Sequence, residues 1–242
     1  MTSPAGDHSL PTTARPRPVQ PGPVPPSPAQ PGPVQPGQVQ PRSAQRRELL
    51  VTTAIRHMLE HGFEGFSVNT LAEDVGMSVG GMYRYIRTKS DLLVMACEDI
   101  YGGALREQLA EVTTGENPLP GKLHAAIELY LRSCLALQDQ ILLTYREYRN
   151  LPRDAQRRYM DREKGIAGVF TDIITAGIRR GIFSPGASPA LLAEDIIVLG
   201  HLPALKAWAL RNEVTAEDLV RQHCELIMSR LLPAPAQRPG DF

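Results

Sequence analysis

The stretch GFEGFSVNTLAEDVGMSVGGMYRYIRTKSDLL, residues 62–93, decides how the whole chain is interpreted. Its apolar spacing predicts one short helix after Ser67, with Leu71 and Val75 facing inward, and a second after a glycine turn at residues 76–78. Two short helices joined in this way form a helix-turn-helix, whose second helix enters the major groove of DNA by its N-terminal end. The stretch therefore predicts a DNA-binding surface.

Two glycines, Gly80 and Gly81, stand where the second short helix begins. Each costs a helix interior about 1 kcal/mol relative to alanine, so their presence needs a reason. With Val79, Met82 and Ile86 on the inward face, the opposite face carries both glycines. Bare backbone there approaches phosphates or base edges more closely than a side chain permits. The alternative is that these glycines and the neighbouring tyrosines only pack an ordinary helical bundle.

Polar residues surround the two glycines. Ser78 is placed to cap the helix, and the tyrosine hydroxyls donate hydrogen bonds without adding charge. The formal net charge of the chain is zero, so DNA affinity has to come from local cations such as Arg84, Arg87 and Lys89. We expect Ser67, Ser78, Tyr83, Tyr85 and Lys89 to hold phosphates, and Val79, Gly80, Gly81 and Arg84 to lie nearest the bases.

Helical spacing continues to about Leu232 without a convincing alternating strand, so the predicted fold class is all-α, with about nine helices. Gly62 and Gly181 are placed to end the first and seventh of them. The other bounds that local signals predict are a fourth helix from the capping box at 88–91 to about Val112, an eighth from Ser188-Pro189 to about Leu210, and a ninth from Thr215.

Composition excludes several classes of protein. The 242 residues are 42% apolar and 21% charged, as in an ordinary soluble protein, and no signal peptide is evident. Three distant cysteines, Cys97, Cys134 and Cys224, predict buried thiols in a reducing cytoplasm rather than a disulfide framework. Charged residues interrupt the most apolar region, residues 191–210, which predicts a buried helix and no membrane partner. No cofactor and no metal are indicated by this reading.

The stretch at 62–93 closely resembles the DNA-binding domain of the TetR family of bacterial transcriptional regulators. The matching positions are Gly62 and Phe63, Ser67, Leu71 and Ala72, Val75 to Ser78, Gly80, Tyr83 and Tyr85, Lys89, and Leu92 with Leu93. Two positions depart from the family pattern: Ile86 stands where phenylalanine is usual, and Gly81 where threonine, serine or alanine is usual. The second departure removes a side chain that often touches DNA.

The resemblance implies an all-helical homodimer, a repressor that binds a near-palindromic operator and pairs through helices eight and nine. It also implies that helices four to seven enclose a pocket, whose apolar or amphipathic effector releases the protein from DNA. The implied organisation is a disordered proline-rich tail at 1–43, a helix-turn-helix DNA-binding domain at 44–93, a ligand-binding and dimerisation domain at 94–232, and a flexible C-terminus at 233–242.

The C-terminal half is loosely similar to TetR regulators that sense acyl-CoA thioesters, through LLTYREYRNLP, GIRRGIF and LKAWALR. Such an effector needs an apolar tunnel and cations for its phosphates. The arginines predicted to supply them, otherwise a solvated helix face, are Arg146, Arg149, Arg157, Arg158 and Arg162. The predicted ligand-binding residues, otherwise core residues, are Tyr130, Cys134, Tyr145, Arg149, Arg162, His201 and Trp208.

Two other functions are compatible with parts of the sequence. HMLEH, residues 57–61, fits the H-x-x-E-H pattern of one group of zinc peptidases, with His57 and His61 one helical turn apart and Glu60 as the base. A zinc-dependent hydrolase is therefore an alternative, although three fixed letters in five occur easily by chance. A helical adaptor that uses the proline tail and does not bind DNA is a second alternative.

Overall fold

The apolar spacing becomes α-helix throughout the part of the chain that the computed structural model describes, residues 41–98, 100–184, 186 and 188–232. These residues contain no strand, which confirms the predicted all-α class. The predicted C-terminal segment and nearly all of the predicted proline-rich tail lie outside the described residues. Within them, no helix is long and apolar enough to cross a membrane.

The N-terminal helices are α1 (Pro41–Gly65), α2 (Val68–Asp74), α3 (Val79–Met82) and α4 (Lys89–Glu98). Gly62 breaks the regular conformation of α1 with a φ of 73°, a left-handed value that glycine adopts without strain. Gly76, with a φ of 63°, makes the turn between α2 and α3 in the same way. Gly76 therefore makes the predicted turn, whereas Gly62, predicted to end the first helix, breaks α1 and is followed by one more short turn to Gly65.

Side chains close the exposed starts of the short helices. Ser78 Oγ accepts a hydrogen bond from Gly81 N at 3.0 Å, and Ser67 Oγ accepts a longer one from Thr70 N at 3.5 Å. Ahead of α4, Asp91 Oδ2 accepts from Thr88 N at 2.9 Å and from Arg87 N at 2.7 Å. The Thr88 bond, followed by that of Arg87, lowers the pKa of the Asp91 carboxyl. The starts of α2, α3 and α4 are thus fixed by hydrogen bonds between residues three or four apart.

The C-terminal helices are α5 (Gly103–Thr114), α6 (Leu119–Ala136), α7 (Gln138–Glu147), α8 (Arg153–Arg179), α9 (Pro189–Leu205), α10 (Ala207–Leu210) and α11 (Ala216–Leu231), with a 3-10 turn at Tyr148–Asn150. Gly181 ends α8 with a φ of 68°, as predicted. The predicted caps are also confirmed, since Ser188 Oγ accepts from Leu191 N at 3.4 Å and Thr215 Oγ1 from Asp218 N at 3.1 Å.

Two of the nine predicted helices are each divided. The fourth ends at Glu98 and resumes at Gly103, because Tyr101 turns into the core and Gly102 takes an extended conformation. The eighth ends at Leu205 rather than Leu210. Pro203 has no N–H to donate to the preceding turn, and the helix stops two residues after it.

Buried apolar side chains form two clusters. The C-terminal cluster is built mainly from α5, α6, α8, α9 and α11. The N-terminal cluster is built from α1 to α4 and continues beyond residue 93, taking in Leu143 of α7, Leu151, and Ala155 of α8. The helix-turn-helix region therefore rests directly on α7 and on the start of α8.

Candidate nucleic-acid interface and ligand cleft

The exposed starts of α2 and α3, with the residues just after α3, form a surface that we call the reading surface. Met82 and Ile86 are buried beneath it, as predicted. Val79 is not, although the spacing predicts the same inward face for it: 36% of its surface is exposed. Val79 is the first residue of a four-residue helix, so its side chain projects from the end of α3 beside the glycines.

The two glycines of the reading surface differ in what surrounds them. A Cβ built on Gly80 would meet no atom within 4 Å, so packing inside the protein does not require glycine there. A Cβ on Gly81 would lie 3.0 Å from Ser78 Oγ, the atom that caps α3. Gly80 thus leaves open space toward solvent, whereas Gly81 leaves room for the capping hydroxyl.

The aromatic and basic residues after α3 also differ in their surroundings, since some face solvent and one packs against the protein. Tyr83 is 51% exposed and Arg84 is exposed beside it. Tyr85 is half-buried and packs against the N-terminal cluster. Tyr83 and Arg84 are therefore free to contact a partner, and Tyr85 has a structural role in addition to any contact that it makes.

Lys89, predicted to hold a phosphate, is already engaged within the protein. Its Nζ donates to the carbonyl oxygen of Glu64 at 3.0 Å, near the end of α1. The same ammonium lies 4.9 Å from the centre of the Phe63 ring and 5.1 Å from that of Phe66. An ammonium has three donors, so one bond to Glu64 leaves donors for a phosphate while fixing where the charge stands.

Two side chains of α7 reach back to the end of α1. Glu147 is buried, and its Oε1 accepts from Phe63 N at 3.1 Å, directly after the break at Gly62. Its Oε2 accepts from Asn150 Nδ2 at 2.7 Å. Arg146 Nη1 donates to the carbonyl oxygen of Leu59 at 2.8 Å. A shift of α7 would consequently move the end of α1 and the reading surface attached to it.

The other side of α7 borders an open cleft of about 470 Å³ between α7 and α8. Its volume lies within the usual range for small-molecule sites. The residues that line this α7–α8 cleft are Thr144, Tyr145, Arg146, Tyr148, Arg149, Tyr159, Met160 and Glu163. Aromatic and apolar surface dominates, with arginines and one carboxyl among it, which suits an amphipathic ligand.

A network of hydrogen bonds lies behind the cleft, centred on the buried His201. Tyr145 Oη lies 3.0 Å from His201 Nδ1, and the hydroxyls of Tyr101 and Tyr130 lie 2.8 and 3.2 Å from Nε2. Tyr101 also donates to Glu163 Oε2 at 2.7 Å. Burial lowers the pKa of His201 to about 4 and raises that of Glu163, so His201 is neutral near pH 7.

The predicted ligand-binding residues separate into three groups. Tyr145 and Arg149 line the α7–α8 cleft, whereas Tyr130 and His201 are buried and are linked to it through Tyr145 and through Tyr101 and Glu163. Cys134 is a core residue at the Tyr130 ring, and burial raises the pKa of its thiol to about 12.

The last two predicted residues do not line the cleft. Arg162 donates to the carbonyl oxygen of Glu98 at 3.0 Å, and Trp208 is 81% exposed on α10 beside Lys206. An aromatic residue in an apolar sequence suits a ligand pocket or a protein interface equally well. The exposed position of Trp208 excludes a role in lining the α7–α8 cleft.

Sequence reasoning missed Tyr101 and Glu163. A signal was present for Glu163, because it interrupts the apolar face that Tyr159, Ile166 and Phe170 form along α8. No local signal marked Tyr101, whose partners stand 62 and 100 residues away.

HMLEH does not form a metal site. His57 is buried with its Nε2 2.8 Å from Asp74 Oδ2, and the exposed His61 lies 3.7 Å from Glu60 Oε2. The hydrogen bond from His57 lowers the pKa of Asp74, and Arg56 adds to the effect. Within the described ranges, no three histidine, cysteine or acidic side chains are grouped to hold a metal ion. The zinc-peptidase interpretation thus loses the geometry on which it depended.

Comparison with known proteins agrees with this arrangement. Residues 50–96 match the family described as bacterial regulatory proteins, tetR family, and residues 117–231 match the tetracyclin repressor-like, C-terminal domain. Together the two matches cover more than half of the chain. The HTH-type transcriptional regulator HbdR of Aromatoleum sp. (strain CIB) is 23% identical over 190 residues, covering 78% of this chain and 82% of that protein.

Solved structures share the fold at low identity. The ketosteroid transcriptional regulator KstR2 of Mycobacterium tuberculosis is 18% identical with a TM-score of 0.67, covering 82% of this chain and 98% of that one. AibR, solved in complex with isovaleryl coenzyme A and operator DNA, is 18% identical with a TM-score of 0.59, covering 75% and 97%. On the two family matches and the helix-turn-helix geometry, the chain belongs to the TetR family of ligand-responsive bacterial transcriptional regulators.

Proposed function

We propose that the protein is a homodimeric repressor that places α3 of each subunit in successive major grooves of a near-palindromic operator. Ser67, Ser78, Tyr83, Tyr85 and Lys89 hold phosphates, and Val79, Gly80, Gly81 and Arg84 lie nearest the bases. The exposure of Tyr83 and Arg84 at the end of α3 supports these roles, because neither side chain has a packing function inside the subunit.

The observation that carries the proposal is the bare backbone at Gly80. A glycine costs a helix stability, and a side chain at this position would meet no protein atom within 4 Å. The demand for glycine at this point therefore comes from outside the subunit. The groove of a duplex, lying against the N-terminal end of α3, supplies it.

We assign the dimer contact to α9 and α11, the predicted eighth and ninth helices. Large apolar side chains are exposed on both: Leu191 is 62% exposed, Val198 54% and Leu226 57%. Leu191 and Val198 are seven residues apart and stand on one face of α9, which is the spacing of a helical contact stripe. Pairing α9 and α11 with their copies makes a four-helix interface that covers this face.

We place the effector in the α7–α8 cleft. Occupation of the cleft shifts α7, and the contacts of Glu147 and Arg146 carry that shift to the end of α1. The spacing of the two reading surfaces then no longer matches the two half-sites, and operator affinity falls by the difference in effector affinity between the two states.

An acyl-CoA thioester is one candidate effector. Arg149 lines the cleft, and both Arg149 and Arg157 are exposed, so both are open to a phosphate. Arg158 and Arg162 are less suited, because both already lie within 4 Å of the Glu98 carboxylate. AibR, which shares the fold, is solved with isovaleryl coenzyme A, so this thioester is a direct probe.

Footprinting of the purified protein on DNA upstream of its own gene tests the proposal. We expect one protected site with two half-sites related by two-fold symmetry, about 10 base pairs apart or a multiple of that. Leu226→Glu buries a charge in the proposed interface, so it converts the dimer to a monomer in sedimentation and abolishes the footprint.

Gln108→Glu adds the same charge on the exposed face of α5 and serves as the control, with an intact dimer and footprint. A dimer that survives Leu226→Glu refutes the assigned interface. Absence of any specific DNA site favours the adaptor that does not bind DNA.

A further inference from the structure

The hydrogen bonds behind the α7–α8 cleft form a path that begins and ends at the cleft wall, with one side branch at His201 to Tyr130. The path runs from the Tyr145 hydroxyl to His201, on to the Tyr101 hydroxyl and then to the Glu163 carboxylate. Tyr145 and Glu163 both line the cleft, whereas His201 and Tyr101 are 1% exposed and bond to protein groups behind it. The proton positions along this path therefore decide what the cleft wall offers to a ligand.

Each hydroxyl has one proton, which fixes the direction of every bond. An ionised carboxylate only accepts, so Tyr101 gives its proton to Glu163 Oε2 at 2.7 Å. The Tyr101 oxygen can then only accept from His201 Nε2 at 2.8 Å, because two lone pairs facing each other at that distance would repel. A neutral imidazole with its proton on Nε2 accepts at Nδ1, so Tyr145 donates inward at 3.0 Å.

Tyr130 agrees with this assignment. Its hydroxyl donates to the carbonyl oxygen of Ile197 at 3.2 Å, so its own oxygen is also left to accept from His201 Nε2. Gly200 makes this arrangement possible, because a Cβ there would lie 2.5 Å from the Tyr130 ring. The imidazole is thus held with its proton on the side away from the cleft.

We propose that the α7–α8 cleft selects an effector carrying a hydrogen-bond donor, a hydroxyl or an amine, which binds the Tyr145 oxygen and the Glu163 carboxylate. The Tyr145 hydroxyl donates its only proton to His201, and the Glu163 carboxylate carries no proton. Both ends of the path therefore present only hydrogen-bond acceptors to a ligand. A carboxylate or carbonyl group of a ligand would meet lone pairs at both places. Arg146 and Arg149, on the same cleft, are the positions for an anionic group of the ligand.

The inference deepens the proposed effector site and rests on it. Glu163→Gln is the discriminating variant. The amide carbonyl still accepts from Tyr101, so the path keeps its direction, but the amide NH₂ now faces the cleft as a donor. In the variant, the cleft should therefore prefer ligands with a hydrogen-bond acceptor rather than ligands with a donor. Loss of packing alone would not produce this reversal.

Three probes with the same ten-carbon chain test this at pH 7.5: 10-hydroxydecanoate, decanoate and decanedioate. Calorimetry with the full-length dimer should show 10-hydroxydecanoate bound roughly tenfold more tightly than the other two, because a polar group of the site left without its hydrogen-bond partner weakens binding by about that factor. Glu163→Gln should favour decanedioate over 10-hydroxydecanoate. Tyr145→Phe should weaken binding of 10-hydroxydecanoate and leave that of decanoate unchanged.

Nitrogen-15 NMR of the His201 ring is an independent measurement, since it reads the tautomer without any ligand. A protonated Nε2 is expected, and a protonated Nδ1 would reverse every bond in the path and overturn the inference. Equal affinities for the three probes, failure of all three to bind, or unchanged preferences in Glu163→Gln would overturn it as well. Exposed Glu111→Gln on α5 is the matched control for loss of a carboxylate.

Operator DNA in the same titrations separates this inference from the function on which it rests. If the probes bind with the expected preferences and the protein stays on DNA, the preference for ligands with a donor is supported. The proposal that a ligand in this cleft releases the operator is then refuted. If every probe releases the operator equally well, effector release stands and donor selection fails.

Discussion

The reading surface and the α7–α8 cleft are built by opposite means. Hydrogen bonds that cap the helices of the reading surface join residues three or four apart, as between Ser78 and Gly81, and are exposed. Those behind the cleft join residues 56 to 100 apart and are buried or partly buried. The surface proposed to fit a rigid duplex is thus fixed locally, whereas the proposed effector site spans several helices. In the proposed mechanism, this difference lets a ligand act on one region without unfolding the other.

Replacement of Tyr83 gives the largest expected effect, and Tyr145 is its matched comparison. Tyr83 on the reading surface and Tyr145 at the cleft are both 51% exposed. Tyr83→Ala removes a phosphate contact in each subunit, and a hydrogen bond to a charged group is worth about 1.5–3 kcal/mol. Operator affinity should therefore fall at least tenfold in fluorescence anisotropy, with an unchanged unfolding midpoint. Tyr145→Ala should leave that affinity intact and alter the response to effector. Equal losses in both variants would erase the distinction between the two regions.

Acid should lower the stability that the buried network behind the cleft contributes. The folded pKa of His201 is about 4, below the ordinary value of 6.5, so the unfolded chain binds the proton more readily. Stability contributed by neutral His201 is fully present above pH 6.5 and is lost as pH falls toward 4, by on the order of 3 kcal/mol. His201→Gln should flatten this part of the pH profile in urea unfolding. Exposed His124→Gln should keep it, and a profile unchanged in His201→Gln would contradict the assignment.

Gly80→Ala separates stability from function on the reading surface. The added methyl group meets no protein atom and improves helix propensity, so the free energy of unfolding should rise by up to about 1 kcal/mol. Operator affinity should fall about tenfold, since the same methyl group stands where the duplex must approach. Thermal unfolding and anisotropy on the same sample measure both. A variant that is more stable and binds DNA equally well would remove the reason given for Gly80.

Lys89→Met gives the smallest expected effect. Loss of one phosphate contact should reduce the slope of log affinity against log salt by about one unit per subunit, equally for operator and unrelated DNA. Methionine keeps the apolar contact with Phe63 and Phe66, so little of the stability should be lost. If the slope does not change, Lys89 serves only to cap the end of α1 at Glu64.

The same contrast explains which features the sequence predicted. Ser78, Gly181, Ser188 and Thr215 begin or end helices as predicted, and Gly62 breaks α1 at the place where its end was predicted, because each acts on a backbone within four residues of itself. The helices that carry the reading surface are made of such elements, and their positions in the chain were predicted almost completely. Val79 is the exception there, since a four-residue helix is too short for periodicity to fix which way its first side chain points.

The cleft was predicted only in part for the same physical reason. Tyr145, Arg149 and His201 are conspicuous polar residues on apolar helices, so they were found. Tyr101 owes its position to the break before Gly103, and it meets Glu163 and His201 only after α8 and α9 pack around it. Distances of that kind depend on how helices pack against each other, which no local pattern in one sequence contains.

One short segment serves both regions. Residues 143–149 give Leu143 to the N-terminal core and Glu147 to the end of α1, and they give Tyr145 and Arg149 to the cleft. For a geneticist, this makes about two turns of helix the place where substitutions with two different phenotypes meet. Substitutions on the cleft side should yield repressors that no longer respond to the effector. Substitutions on the side that contacts α1 should yield proteins that leave the operator without any effector. A saturation screen confined to these seven codons would recover both classes.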